Sequence, residues 1–293
     1  MTRYATMIGT GRYLPEIEVS NATLKKRVSA VDPELANVVD AFEESSGIRS
    51  RWYAPRDWAT SDIALRAAQK ALEAAGIGPE QLDMIGVATA AGLLSTNPWM
   101  NYVLVIGVYM MSKLAEPTDV VSFFYGDGAG AAVLAADSKP GFITSAYLAD
   151  GSFADYWVIS SGGTAEPASV ESVQAGRTKV RLLERYPPDV NHVNWPKIVR
   201  ALAERGGFDI QDIDLAIFTQ VRLPSIKLVM EDLGLPLSKT HWIMEEWGYM
   251  GSACIPMALD DAIEKGKVGS GDLLVLVGSG VGYNYAGVAL RMP

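Results

Sequence analysis

The sequence is short of the residues that most often mark chemistry. One cysteine, Cys254, occurs in 293 residues. An internal disulfide is therefore excluded, and a reducing compartment fits. There are two histidines, His192 and His241, with no paired His/Cys spacing, so no metal centre is expected. Basic residues are outnumbered, 25 Lys and Arg against 34 Asp and Glu, for a net charge of −9. That balance argues against a nucleic-acid or anionic-membrane surface. Long apolar runs are absent too. The longest, Tyr102–Met111 and Met84–Leu94, contain glycine and are too short to span a bilayer. The opening MTRYATMIGTGRYLPE lacks the apolar stretch of a signal peptide. A cytoplasmic protein is expected. No G-x-S-x-G elbow exists, which disfavours an ordinary serine hydrolase.

What is present is an average globular composition, 49% hydrophobic and 20% charged. The length fits one large domain or two ordinary ones. A weak internal repeat organises the chain. Leu65–Thr89 reads as an amphipathic helix stopped by Gly76, followed by Leu82-Asp83 and the apolar strand Met84–Ala88. Ile198–Thr219 repeats the pattern, with a stop at Gly206-Gly207, then Ile213-Asp214 and a strand ending at Thr219. A duplicated α/β fold is expected. Further strands are expected at Met7–Gly9, Tyr102–Gly107, Ala129–Ala135, Leu273–Val277 and Tyr285–Leu290, and a helix at Pro256–Lys265. The Ser/Gly/Ala-rich stretch Ser160–Ala175 reads as a loop or linker between halves 1–160 and 176–293. Leu182–Pro196, with three prolines, is expected to be irregular.

Three glycine clusters invite a nucleotide reading: Gly9-Thr-Gly11, Gly126–Gly130 and Gly278–Gly282. None is followed by a helix N-terminus that could cradle phosphate, so tight backbone packing is the expected role. Cys254 precedes a helix, where a thiol can be activated, but its neighbours are apolar and a buried, inert cysteine is the commoner case. His241 could serve it as a base only if the fold brought the two together.

Specific words then accumulate. They are Ile8–Pro15, Ser46-Gly-Ile-Arg49 with Arg51, Pro117-Thr-Asp119 with Tyr125–Leu134, Trp247–Pro256 with Ala258–Asp260, Gly271-Asp272 and the Gly278–Gly282 turn. In order and over nearly the whole chain, these resemble the 3-oxoacyl-(acyl carrier protein) synthase III family. The resemblance implies a thiolase-like fold, with duplicated βαβαβαββ halves in five layers, α-β-α-β-α, and a homodimer. It implies a fatty-acid-type acyltransferase with no cofactor, whose partners are acyl-coenzyme A or an acyl carrier protein. In that chemistry a cysteine takes the acyl group, and a histidine and an asparagine assist decarboxylation of a malonyl thioester. Backbone N–H groups hold the oxyanion.

The family's catalytic positions are substituted here. Its histidine falls at Thr219, its asparagine at Tyr249, and its oxyanion glycine at Val281, beside Gly280. The tryptophan that stacks adenine falls at Ala41, and the arginine after P-T-D at Val120. The carrier-receiving arginine falls at Pro224, with Arg222 nearby as a substitute. The nucleophilic cysteine has no counterpart. Roughly 40 residues are missing around 98–101, comparable to a βαβ unit of about 30 or more. Losing a central strand and helix is expected to wreck the core, so that segment is expected in the intact protein. An acyl-thioester transferase of altered chemistry is the first expectation. A catalytically degenerate subunit that partners an active paralogue is the second.

Overall fold

The computed structural model describes residues 3–85, 90–116 and 119–293. In chain order the described elements are β1 (Tyr4–Tyr13), β2 (Ile17–Ser20), α1 (Asn21–Ser29), α2 (Leu35–Ser46), β3 (Ser50–Tyr53), α3 (Thr60–Ala75), β4 (Met84–Ile85), α4 (Ala90–Thr96), β5 (Tyr102–Tyr109) and β6 (Gly128–Asp137). There follow β7 (Phe142–Ala149), β8 (Trp157–Val158), α5 (Val170–Gln174), β9 (Arg181–Leu182), α6 (Val190–Gly206), β10 (Leu215–Phe218), α7 (Leu223–Asp232), α8 (Met244–Trp247), α9 (Cys254–Glu264), β11 (Leu273–Gly280) and β12 (Asn284–Arg291). The rest of the expected strand Met84–Ala88, like Pro117 and Thr118, lies outside the described residues.

Two four-stranded sheets carry the fold, ordered β1-β6-β5-β4 and β10-β11-β12-β7. The repeat is visible strand by strand. β4 runs parallel to β5 as β10 does to β11. β1 is antiparallel to β6 as β7 is to β12. Both repeat helices end on a left-handed glycine, Gly76 at φ 68° and Gly207 at φ 67°. Asp83 and Asp214 then repeat one device. Each N–H donates across the sheet, to Tyr102 O and Leu273 O, and each carboxylate receives N–H groups there, from Tyr102 and Leu273.

Alternation along the strands assigns the layers. On the outer face of the first sheet, Leu104, Ala131 and Val133 pack against Ile63, Ala67 and Ala71 of α3. On the inner face, Met7 and Leu134 meet Met257 and Ala258 of α9, which also buries Leu215, Ile217 and Leu274 of the second sheet. α6 covers the far side of that sheet through Trp195, Ile198 and Leu202. The layers run α3, sheet, α9 with α4, sheet, α6. A bulge between Met7 and Gly9 switches the faces of β1, so that Thr10 and Arg12 point inward and both bond Asp260 of α9.

Three expectations need correction. The halves do not divide at 160: β7 already belongs to the second sheet, because its edge pairs with β12. Ser160–Ala175 is therefore an excursion within the second half, tied by Ser161 Oγ to Ser172 Oγ at 2.9 Å and closed by α5. Leu182–Pro196 is not wholly irregular. α6 starts at Val190 and runs through Pro196, whose missing N–H is tolerated because Trp195, Ile198, Val199 and Leu202 anchor that face in the core.

The third correction concerns the gap. Residues 97–101 form an unbroken helix-to-strand connection. The Asn97 N–H bonds Leu93 O at 2.9 Å, the Met100 N–H bonds Asn97 O at 3.1 Å, and the Asp83 carboxylate receives the N–H groups of Asn101 and Tyr102. The shortfall shows instead when the halves are compared. Thirty-five residues separate β10 from α9, but only four separate β4 from α4. Among the described residues the first half thus shows no counterpart of α7, of the strand-like bridge Ala216–Thr240, or of α8. Its core nonetheless closes. Leu94 of α4 packs with Met100, Ala5 and Val103, all at most 5% exposed, beside the patch that α9 covers.

Candidate functional site

The C-terminal ends of β10 and β11 meet the N-terminus of α9, and most of the residues expected from the sequence to form the site gather there. Thr219 directly follows β10 and is buried. Its Oγ1 accepts the Ser279 N–H at 2.8 Å, which ties it to the strand carrying Gly280 and, one residue on, Val281. Gly280 and Val281 are exposed. Gln220, fully buried, clamps the neighbouring backbone: its Nε2 donates to Phe218 O and His241 O, and its Oε1 accepts the Ile243 N–H. The backbone N–H of Gln220 also faces the sulfur of Cys254.

Tyr249 enters from the loop after α8. Its N–H donates to Phe124 O at 2.7 Å and its carbonyl accepts the Gly126 N–H at 2.8 Å. Its ring lies among Tyr109, Phe124 and Tyr125, at centroid separations of 5.7, 5.6 and 6.4 Å. Burial first, then the neighbouring Cys254 and Tyr283, push its phenol well above the usual range. It is a neutral hydrogen-bonding group at any working pH. Arg222 is not part of this cluster. It caps α7 and reaches Ser45 O of α2 at 3.4 Å.

Cys254 opens α9 but is 1% exposed. Burial pushes its thiol up to about 12, more than the surrounding N–H groups pull it down. It holds no thiolate near neutral pH, so its helix N-terminus does not make it a nucleophile. The native protein is expected to be inert to an aromatic disulfide reagent at about pH 8 and to titrate one thiol once unfolded in guanidinium. Rapid labelling of the folded protein would count against this placement.

His241 is not brought to Cys254. It contacts Asp261, seven residues along α9, about 10 Å by helix rise. Nε2 lies 2.7 Å from Asp261 Oδ2, and Nδ1 accepts from Lys267 Nζ at 3.0 Å, so the ring is neutral. Arg12 and Lys265 complete the network around Asp261. Burial lowers the His241 pKa more than Asp261 raises it. At Asp261, burial raises the carboxyl, but the bonds from Lys265 and His241 outweigh it and hold the pKa below its usual value. Both groups bind protons more readily when unfolded, so stability is lost as pH falls. His241 contributes below about pH 6.5 and Asp261 below about pH 4. The thermal midpoint should fall between pH 7 and 5, and less steeply in His241→Gln. A flat parent profile would contradict this.

The glycine block owes its composition to the same junction. A Cβ on Gly126 would lie 2.5 Å from Trp247 O, and one on Gly130 2.8 Å from Met257 N. Asp127, between them, is fully buried and receives the N–H groups of Ala54 and Ser112 and the Ser112 hydroxyl. This role, like that of Gln220, was missed in the sequence; the signal for Asp127 was a lone acid among glycines.

Five alternating layers built from two pseudo-equivalent halves, with the candidate site at the strand ends around the central helix, define a thiolase-like fold. Comparison with known proteins narrows this. Residues 84–151 match the family pattern described as 3-oxoacyl-[acyl-carrier-protein (ACP)] synthase III, and residues 203–292 that of its C-terminal part. The chain is 31% identical to a beta-ketoacyl-[acyl-carrier-protein] synthase III of Syntrophomonas wolfei, with 97% of this chain and 96% of that protein covered. It is 32% identical to one of Halalkalibacterium halodurans, with 99% of each covered. The crystal structure of 3-oxoacyl-[acyl-carrier-protein] synthase III from Aquifex aeolicus superposes with a TM-score of 0.82 at 24% identity, over 98% of this chain and 99% of that one. The chain belongs to the 3-oxoacyl-[acyl-carrier-protein] synthase III family. Its alignment with the S. wolfei protein spans 333 positions against 293 residues here, so at least 40 positions have no counterpart in this chain. No helix among the described residues is long and apolar enough to cross a membrane.

Proposed function

We propose that this protein is an acyl-thioester transferase of the synthase III type that passes the acyl group directly to its acceptor, without an acyl-cysteine. The observation that carries this reading is Cys254, the chain's one cysteine, buried at the α9 N-terminus with its thiol pushed up to about 12. In direct transfer the acceptor's nucleophile attacks the thioester carbonyl and the acyl–sulfur bond breaks. With an amine acceptor the leaving thiolate takes the proton that the amine releases; with a malonyl thioester the carboxylate leaves as CO2, the resulting enolate attacks, and the thiolate takes a proton from water, giving free coenzyme A or carrier thiol in either case. The Val281 backbone N–H is assigned to the carbonyl oxygen as charge develops on it. Thr219 holds the strand end behind Val281, and Tyr249 supplies a neutral hydrogen bond to the bound thioester. Arg222 meets the carrier. The proposed site uses no cofactor beyond the thioester substrate, and the proposed setting is a homodimer in the cytoplasm serving fatty-acid biosynthesis; of these, the relatives' names support the acyl-carrier-protein chemistry.

The test is incubation with acyl-coenzyme A, with and without malonyl or amine acceptors, followed by intact-mass and thiol-release measurements. Thiol release that requires the acceptor, with no acyl adduct on the protein, is the expected result. An adduct on Cys254 would overturn direct transfer. A second reading is favoured by the four residues between β4 and α4 where the second half has thirty-five: a catalytically degenerate subunit partnering an active paralogue. No thiol release with any acceptor, together with stoichiometric co-purification of a full-length relative, would select it.

A further inference from the structure

A surface lysine is ordinarily held as an ammonium, because the atoms it meets are oxygens. Lys113 Nζ donates to Arg56 O, Lys179 Nζ to Lys113 O, Lys197 Nζ to Asn194 Oδ1 and Lys239 Nζ to Gln211 O, and Lys265 Nζ pairs with the Asp261 carboxylate at 2.7 Å. Among the described residues Lys267 is the one lysine whose Nζ bonds a ring nitrogen, Nδ1 of His241, at 3.0 Å. An amide oxygen accepts a hydrogen bond but no proton near neutral pH, whereas a neutral imidazole accepts either. The ammonium of Lys267 can only donate, so Nδ1 carries the lone pair and Nε2 the hydrogen. Nε2 faces Asp261 Oδ2 at 2.7 Å. Asp261 therefore orients the ring and stabilises the imidazolium that forms when Nδ1 takes a proton, as a carboxylate does for a catalytic histidine.

The base is shielded and the amine is not: His241 is 5% exposed, while Lys267 is exposed. Lys267 follows the C-terminal end of α9, and the eleven residues of that helix set this end about 16 Å from Cys254 and the candidate site. We propose that Lys267 is a site of acylation by acyl phosphates, with His241 as the base. The ammonium first loses one proton to solvent. The amine nitrogen then attacks the acyl carbon, the new C–N bond forms and the C–O bond to phosphate breaks. The proton displaced from nitrogen passes to His241 Nδ1 and on to water. The products are an ε-amide and inorganic phosphate. Phosphate departs without needing a proton, whereas a thioester must expel a more basic thiolate, which keeps this reaction distinct from the thioester chemistry above.

The experiment exposes the intact protein to acetyl phosphate and follows each lysine by peptide mass spectrometry, folded and in guanidinium, for the parent and for His241→Gln. Two exposed lysines serve as internal references, Lys265 with its ion pair and Lys70 on α3. In the folded parent Lys267 is expected to acetylate at least ten-fold faster than both. The ratio should fall to about one in guanidinium, and in folded His241→Gln it should fall to the level of Lys70. Equal rates for Lys267 and Lys70 in the folded parent overturn the proposal. A ratio that persists in guanidinium also overturns it, since local sequence then sets the rate. So does a ratio that persists in folded His241→Gln, since exposure alone then sets it. The comparison of folded with unfolded parent decides the matter even where the variant does not fold.

Discussion

Replacing Gly130 with valine is expected to lower the stability of this protein by about 3 kcal/mol or more. The new Cβ would lie 2.8 Å from both Met257 N and Pro256 Cβ, and 2.9 Å from Pro256 C. Backbone cannot swing aside as a long side chain can, so β6 and α9 must part. That seam joins the two halves, and parting it also disturbs Arg12 against Asp260 and Asp261. Urea unfolding should show the midpoint about 1 M lower. Gly92→Ala is the matched control, because nothing lies within 4 Å of its added Cβ and the site is helical. It should be neutral or slightly stabilising. A Gly130→Val protein with the parent midpoint would remove the close-packing account of the glycine block.

Arg51→Ala is the second large effect, expected at roughly 3–5 kcal/mol. Arg51 is fully buried, and burial pulls its pKa down to about 10. Among the described residues no carboxylate pairs with it. Its Nη1 donates to Val19 O and Asn21 Oδ1, and its Nη2 to Phe123 O; Asn21 passes the contact on to Glu43 at 2.7 Å. Alanine would leave those acceptors unpaired around a cavity. Arg51→Lys should recover little, because one ammonium cannot reproduce the fork that reaches three acceptors on separate segments. Its stem also lies against Gly248 and Gly126, which flank the bonds that hold Tyr249. Denaturation of both variants checks this, and a lysine variant as stable as the parent would refute it.

Much of the frame was legible because periodicity and turn chemistry are local. Gly76 and Gly207 stop their helices as read, and Leu215–Phe218 is the buried strand expected at the end of the second repeat. Errors arose where a distant partner decides. Phe142–Ala149 looks like part of the first half until β12 pairs with it. Pro196 looks like a breaker until Trp195 and Ile198 are seen buried beside it. The shortened connection was misplaced to 98–101 because β4 and the start of α4 read as one apolar run, Met84–Leu94, and only the helix Ala90–Thr96, with Leu94 packed inward, separates them.

The site divides in the same way. Sequence alone determined that the chain has one cysteine and that a glycine turn, Gly278–Gly282, lies near its end, and the family resemblance supplied the expectation that catalytic positions fall at Thr219 and Tyr249. Those are matters of identity and order along the chain. Only the tertiary structure decided that Cys254 is buried with its thiol pKa raised, and that His241 serves Asp261 rather than the thiol. Those depend on desolvation and on contacts between residues far apart in sequence, and neither is encoded in any local pattern.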